Sequence, residues 1–264
     1  MSGHQGSTAE GDLLCCLDWG RPDAVREALR RHPLVHLRAP RLSAADLVAF
    51  AKGLGDVEME PRVNLRLSGA PEILVVGNVR DGRGQVVGAN ALDQGFHSDR
   101  SYRRHPPAFT LLYALGVPSR GGATEFTSLY RLYDRCDQAT RRAWSGLEVE
   151  HETTTRYLDG HPDRRSRHPL VLRHPDTGRW LVYASPPYMR RVRGVSAEES
   201  DGILERVTAA LEPPDLVHHW RAHHILVWDN RAVAHRATAY DPTERRELWR
   251  LSISLASPHR AATP

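Results

Sequence analysis

The spacing of apolar positions divides the chain into helices near its start and short strands beyond. Along 13–31 apolar residues recur at helical intervals, with an interruption at Arg21-Pro22, which predicts an amphipathic helix broken or restarted there. The run at 34–37 predicts a short strand. Ser43 is placed to cap a second helix over 44–54, whose Leu47, Phe50, Ala51 and Leu54 share one face and which Gly55 would stop. Buried-type strands are predicted at 73–76 and 108–115. Between them, 81–94 is rich in Gly and Asn and has no period, so it reads as a loop able to cover a site. Two short helices follow, 128–136 and 137–144. The runs 169–172 and 180–183 flank His174-Pro175-Asp176-Thr177-Gly178, a hairpin turn with Pro and Gly in turn positions. Ser196 opens a helix to about 211, with Glu198 and Glu199 near its positive end. Strands at about 224–228, 231–237 and 247–255 complete the pattern.

Helices first, then many short strands with one helical insert, predict a mainly β fold: a β-sandwich or jelly roll with helices packed outside it. There is no internal repeat and no Pro/Ser-rich linker. One domain over 11–264 is expected, after a Gly/Ser/His-rich tail at 1–10 that reads as disordered.

Charge narrows the function classes. The 264 residues carry a formal net charge of +4, and Lys52 is the only lysine. The arginine pairs Arg103-Arg104, Arg164-Arg165, Arg190-Arg191 and Arg245-Arg246 are scattered. A nucleic-acid binder concentrates such charge in one stripe, so a small anionic substrate is the more economical expectation. Cys15, Cys16 and Cys136 form neither a disulfide framework nor a CxxC zinc pattern, which points to a reducing cytoplasm. The polar opening MSGHQGSTAEGD has no apolar core of a secretion signal, and no apolar run approaches the ~20 residues that span a bilayer. No membrane partner is expected.

The chain has 15 histidines, so a lone histidine carries little information. More telling is His97-Ser98-Asp99 with a distant His235. In a strand, residues i and i+2 face the same way, so His97 and Asp99 would present an imidazole and a carboxylate together. A further histidine completes the two-His-one-carboxylate triad of non-haem Fe(II) oxygenases, which leaves three positions for a bidentate 2-oxo acid and O2. Arg246 and Arg250 follow His235 by 11 and 15 residues. If strand 247–255 runs beside the His235 strand, both can face the pocket, and arginine suits bidentate capture of carboxylates. Thr124 could add a hydroxyl.

Together these residues resemble the taurine dioxygenase-like (TauD/TfdA) family. Its pattern is an H-x-D pair, a Thr or Ser about two dozen residues on, a distant His and then an Arg. This chain has FHSD at 96–99, GGATEF at 121–126, WDNRAVAHRA at 228–237 and RRELWR at 245–250, with family-like HPLVLRHPDTGRWLVY at 168–183, RGVSAEES at 193–200 and FAKGLGDVE at 50–58. The resemblance implies a double-stranded β-helix (cupin-like) fold, Fe(II) on His97, Asp99 and His235, and 2-oxoglutarate and O2 as co-substrates. It assigns Thr124 and Arg246 to the distal carboxylate of 2-oxoglutarate. Arg250 matches an arginine that meets an anionic group of the substrate or lies near the oxo-acid end of the co-substrate. Arg100 and Tyr102 would line the pocket mouth, Tyr188 would be a pocket aromatic, and Trp228, Asp229 and Asn230 would form a structural turn. A homodimer or homotetramer is common in the family.

The chain departs from taurine dioxygenases proper. No histidine stands in Glu60-Pro61-Arg62-Val63-Asn64, where the family contacts the sulfonate, and Asp93-Gln94-Gly95 before His97 also differs. Taurine is therefore not the expected substrate. Because Asp99 is a carboxylate, it does not open a site for chloride, and halogenation is disfavoured. The expectation is oxidation, foremost hydroxylation, of a small anionic or amino-acid-like metabolite with release of succinate and CO2. Desaturation, cyclisation or C–N cleavage in natural-product biosynthesis is an alternative. A non-catalytic cupin-like binding protein is the alternative of another class.

Overall fold

The computed structural model describes residues 12–80, 82–89, 95–154 and 164–255. The tail expected at 1–10 and positions 81 and 90–94 of the expected loop lie outside the described residues. After a helical Asp12-Leu13, β1 (Leu14–Asp18) runs parallel to β2 (Leu34–Arg38), Leu14 opposite Leu34 and Asp18 opposite Arg38. Beyond it the helix resumes only as α1 (Pro22–Leu29), with its proline in the first turn, where no N–H is needed. This corrects the helix expected over 13–31. The consecutive apolar run Leu13-Leu14-Cys15-Cys16-Leu17 suits a strand as well as a helix, and pairing with β2 decides between them.

In α2 (Ala44–Lys52), Ser43 and Asp46 form a reciprocal capping box, and the helix ends at Gly53, earlier than the sequence suggested. There follow β3 (Asp56–Val57), β4 (Arg66–Leu67), β5 (Ala70–Gly77), β6 (Phe109–Gly116), β7 (Thr124–Ser128), α3 (Leu129–Asp134), α4 (Gln138–Trp144), β8 (Glu148–Glu152), β9 (Arg165–Pro169), β10 (Val171–Arg173) and β11 (Trp180–Val182). The described elements end with β12 (Met189–Arg193), α5 (Ala197–Ala209), β13 (Leu216–His218), β14 (His224–Asp229), β15 (Val233–Ala237) and β16 (Glu247–Ser254). Ser128, Asp137 and Ser196, where the sequence reading began three helices, stand as their caps, each side chain accepting a backbone N–H. The β10–β11 hairpin is also as read, Val171 opposite Val182.

Eight strands form the major sheet, in the order β1-β2-β14-β6-β16-β5-β4 with β3 on β16. A minor sheet, β13-β7-β15, faces it, and a bridge from His97 to His235 extends it by one position. This is the double-stranded β-helix with flanking helices that the element order suggested.

Alternation along the central strands builds two cores from one sheet. Ile225 and Val227 of β14, with Leu111 and Tyr113 of β6, pack outward against Leu29, Leu47 and Phe50 of the helical region. Leu226, Trp228, Leu112 and Ala114 point inward, against Phe126 and Val233 of the minor sheet. With both faces covered, these strands read as continuous apolar runs. A third core seats α3 to α5 on β8 and β10–β12. The strands β7, β8, β9, β12 and β13 escaped the sequence reading because β9 and β12 carry arginine at two and three of their five positions and because pairing partners lie far apart in the chain. Gly77 closes the inner core at the site: at φ +135° a Cβ there would lie 1.9 Å from the Arg246 carbonyl oxygen. Among the described residues no helix is long and apolar enough to cross a membrane.

Candidate metal centre and co-substrate pocket

His97 and His235 sit directly opposite each other, exchanging both backbone N–H···O bonds at 2.9 Å. Their rings lie 4.4 Å apart between centroids. Asp99 is not on a strand: it lies in the turn just after the His97 bridge, where Arg100 adopts φ +54°. The two side chains therefore come together, but not through the strand that the i, i+2 argument assumed. The turn still brings Asp99 Oδ1 within 3.9 Å of His97 Nε2. One ligand atom from each of His97, Asp99 and His235 lies within 4.8 Å of the others, and all three side chains are buried.

Each group is held in the form that a cation needs. His97 Nδ1 lies 3.0 Å from the Gly95 carbonyl, which fixes the proton there and leaves Nε2 as an acceptor towards Asp99. Burial draws the His97 imidazole below its ordinary range and His235 down to about 3, so both rings are neutral. His235 Nδ1 is buried without a hydrogen-bond partner. Burial would raise the Asp99 carboxyl, but Arg250, His235, His97 and the Thr110 hydroxyl together hold it below the usual carboxylate range. Two neutral imidazoles beside an ionised carboxylate fit a divalent ion such as Fe(II).

Behind Asp99 stands a relay that the sequence did not disclose. Trp228 Nε1 donates to Asn230 Oδ1 at 2.9 Å, Asn230 Nδ2 donates to Thr110 Oγ1 at 2.8 Å, and Thr110 donates to Asp99 Oδ2 at 2.7 Å. All four residues are buried. Trp228 and Asn230 are structural, as expected, but they act on the carboxylate that faces the two histidines. The WDN motif was the available signal; Thr110 carried none. Asp229 turns the other way, to His174 at 3.1 Å and Arg231 at 2.6 Å, and ties the β10–β11 hairpin to β14.

Arg246 and Arg250 do reach the site, though not by the expected route. Strand β16 pairs with β5 and β6 in the major sheet, whereas β15, which carries His235, lies in the minor sheet. The arginines reach across the interior between the two. Arg250 donates to Asp99 Oδ1 at 2.8 Å, and its Nε is buried without a partner. Arg246 is 3% exposed, and its guanidinium makes only a 3.4 Å bond from Nε to the Gly122 carbonyl and a contact over the Tyr240 ring. It has no carboxylate partner among the described residues. Burial draws its pKa down to about 10, which leaves it charged at neutral pH. Thr124, on β7, is also buried; its Oγ1 accepts from Trp220 Nε1 at 2.9 Å, so its own hydrogen is left to donate elsewhere. Trp220 is a second residue that the sequence reading missed.

His97, His235, Thr124, Arg246 and Arg250 line one pocket of ≈ 590 Å³, counting its open mouth, together with Arg62 and the apolar Leu74, Val76, Leu112 and Trp228. Tyr188 lies edge-on 6.3 Å from the His97 ring and Tyr102 packs edge-on against Tyr188 at 5.1 Å; neither is among the residues lining this pocket, where the sequence reading expects both. The structure puts Arg100 elsewhere than the expected pocket mouth. Its buried guanidinium is bound by Glu58 and, at 2.8 Å, by Glu60, so it anchors the turn carrying Asp99.

One small pocket is thus lined by two histidines of the candidate metal site and by the buried Arg246, which has no carboxylate partner among the described residues. Comparison with known proteins gives the same answer. Residues 9–252 match the model of the taurine catabolism dioxygenase TauD, TfdA family. The chain belongs to this family. It is 31% identical to pentalenolactone F synthase of Streptomyces arenae, over 97% of this chain and 93% of that one. It is 31% identical to alpha-ketoglutarate-dependent 2,4-dichlorophenoxyacetate dioxygenase of Cupriavidus pinatubonensis, over 81% of each. Among solved structures, a taurine dioxygenase from Burkholderia xenovorans superposes with a TM-score of 0.80 at 26% identity, covering 96% of this chain and 91% of that one. The TauD/TfdA protein described here is accordingly a 2-oxoglutarate-dependent non-haem iron dioxygenase, with Fe(II), 2-oxoglutarate and O2 as its cofactor set.

Proposed function

We propose that His97, Asp99 and His235 hold Fe(II), that Arg246 and Thr124 bind the distal carboxylate of 2-oxoglutarate, and that the chain hydroxylates a C–H bond of a small anionic or amino-acid-like metabolite. The observation that carries this reading is Arg246. A buried guanidinium without a counter-ion is costly, and a carboxylate arriving in the same pocket as the triad would repay that cost. Bound there, Fe(II) with 2-oxoglutarate and O2 supplies an oxidant for unactivated C–H bonds, releasing succinate and CO2. The chain's own residues do the rest. Thr110 fixes the Asp99 carboxylate, Gly95 fixes the His97 tautomer, and Leu74, Val76, Leu112 and Trp228 keep water from the reacting end.

For the substrate, Arg62 and Arg250 at the pocket wall favour an anion. Support comes from the relatives' names: 2,4-dichlorophenoxyacetate is itself a carboxylate, and two relatives are named for making pentalenolactone F, a natural product. The test is a panel of carboxylates, 2,4-dichlorophenoxyacetate among them, and amino acids, scored by succinate release and product mass. A gain of one oxygen atom supports hydroxylation. Loss of two hydrogens assigns desaturation instead. Turnover confined to uncharged compounds would overturn the anionic reading.

A further inference from the structure

A second histidine cluster lies at one end of the two sheets and takes no part in the proposed reaction. His36 of β2 and His224 of β14 are diagonal neighbours on the inner face of the major sheet, since His36 pairs with Leu226 and His224 with Arg38. His218, on β13 of the minor sheet, comes from the opposite layer and pairs with Thr124. One ring nitrogen from each of the three lies within 4.8 Å of the others. His36 and His218 are each 8% exposed, and His224 is half-buried.

Three facts make this more than a packing contact. First, each ring has a buried nitrogen without a hydrogen-bond partner among the described residues: His36 Nε2, His218 Nε2 and His224 Nδ1. Three such nitrogens in one place are rare, because each unsatisfied buried polar atom costs about 1–3 kcal/mol. Second, two of the three ring separations are close to what a shared ion requires, and the third, His36 to His224, is shorter by less than 1 Å. With Zn–N near 2.0–2.1 Å and the ring centre about 1.1 Å beyond, tetrahedral geometry sets centroids about 5.2 Å apart. Those observed are 4.4, 5.2 and 5.6 Å. Third, the rings are braced from outside. Cys16 Sγ lies 3.8 Å from His36 Nδ1, and the Trp220 ring meets His218 edge-on at 4.6 Å. Burial keeps His36 and His218 neutral, the form that binds metal, with the other histidines of the cluster adding to the effect. Arg38 and Arg221 are the neighbouring cations; both are exposed, so solvent screens their repulsion.

We propose that His36, His218 and His224 form a second metal site, taking a borderline divalent ion of the zinc(II) class with water in the fourth position. Imidazole donors without carboxylate suit zinc over magnesium or calcium. The ion would join β2 and β14 to β13. It would thereby fix the strand leading into Trp220, whose indole N–H holds the Thr124 hydroxyl.

The experiment counts zinc by mass spectrometry in the stripped full-length protein after reloading with Zn(II) and dialysis. Wild type should hold two equivalents and the His97→Ala/Asp99→Ala variant one. Adding His224→Gln to that variant should remove the last, and His224, being half-buried, is the least disruptive site to change. X-ray absorption on zinc-loaded His97→Ala/Asp99→Ala decides the matter without any further variant. A shell of three imidazole nitrogens about 2.0 Å from zinc supports the site. A protein that keeps no zinc once His97 and Asp99 are changed, or a zinc shell of oxygen alone, overturns it and leaves ordered water among the rings.

Discussion

Replacing Arg246 with methionine should stabilise the protein without 2-oxoglutarate and nearly abolish co-substrate binding. Arg246 is 3% exposed and, among the described residues, its guanidinium makes only one long hydrogen bond, to Gly122. Burial takes its pKa from the ordinary 12.5 down to about 10, which corresponds to desolvation on the order of 3 kcal/mol. Methionine fills a similar volume among Leu74, Val76 and Leu112 without that cost. An unfolding entropy of about 2.1 cal/mol/K per residue, over 264 residues, converts ~3 kcal/mol into a rise in Tm of roughly 5 °C. Binding should move the other way. Losing a charge-assisted pair of hydrogen bonds to a carboxylate costs about 3 kcal/mol or more, so Kd for 2-oxoglutarate should rise at least about 100-fold. The assay is a thermal melt of both proteins across a titration of 2-oxoglutarate. Wild type should gain stability with ligand by mass action, and Arg246→Met should start higher and stay flat. A variant that melts below wild type and still responds to 2-oxoglutarate would refute the reasoning, because Arg246 would then be a structural cation.

Three further outcomes are expected. Thr110→Val keeps the shape but removes the donor to Asp99, so Fe(II) affinity should fall about 10- to 100-fold, with Thr110→Ser largely restoring it in an iron titration. Trp220→Phe removes the N–H that orients Thr124, so Kd for 2-oxoglutarate should rise about fivefold by calorimetry, with iron affinity unchanged, as the loss of one hydrogen bond worth about 1 kcal/mol implies. His151 is fully buried and held neutral well below its ordinary 6.5 by burial, with His168 and Arg190 adding to it. The unfolded chain therefore binds more protons below that pH, and stability present above it is lost as pH falls. His151→Gln should make the acid limb of a stability–pH curve shallower by up to about 1.4 kcal/mol per pH unit, and an unchanged slope would show that His151 is not the group responsible.

The parts of this protein that were legible in sequence are those with short-range signatures. Ser43 and Ser196 announced their helices because capping acts within four residues. His97 and Asp99 were legible as a spaced pair, and His235 and Arg246 through the family pattern. The rest depends on which strand lies beside which. The run at Leu13–Leu17 became a strand because β2 offered it an edge. Arg100 looked free in sequence, but Glu58 and Glu60, some 40 residues earlier, claim its guanidinium. Thr110 sits in an apolar strand with no motif around it, yet Asn230, 120 residues later, hands it the role of orienting Asp99. The His36, His218 and His224 cluster was invisible for the same reason: β2, β14 and β13 meet only in the folded sheets.

The most direct test of the central claim is an anaerobic absorbance scan of the purified protein with Fe(II) and 2-oxoglutarate, set beside His97→Ala and Arg246→Met. The account predicts a weak visible metal-to-ligand charge-transfer band in wild type, absent in His97→Ala at any co-substrate concentration and recovered in Arg246→Met only at much higher 2-oxoglutarate. An equal band in all three proteins, or none in wild type, would contradict the assignment of iron to the triad and of the co-substrate to Arg246.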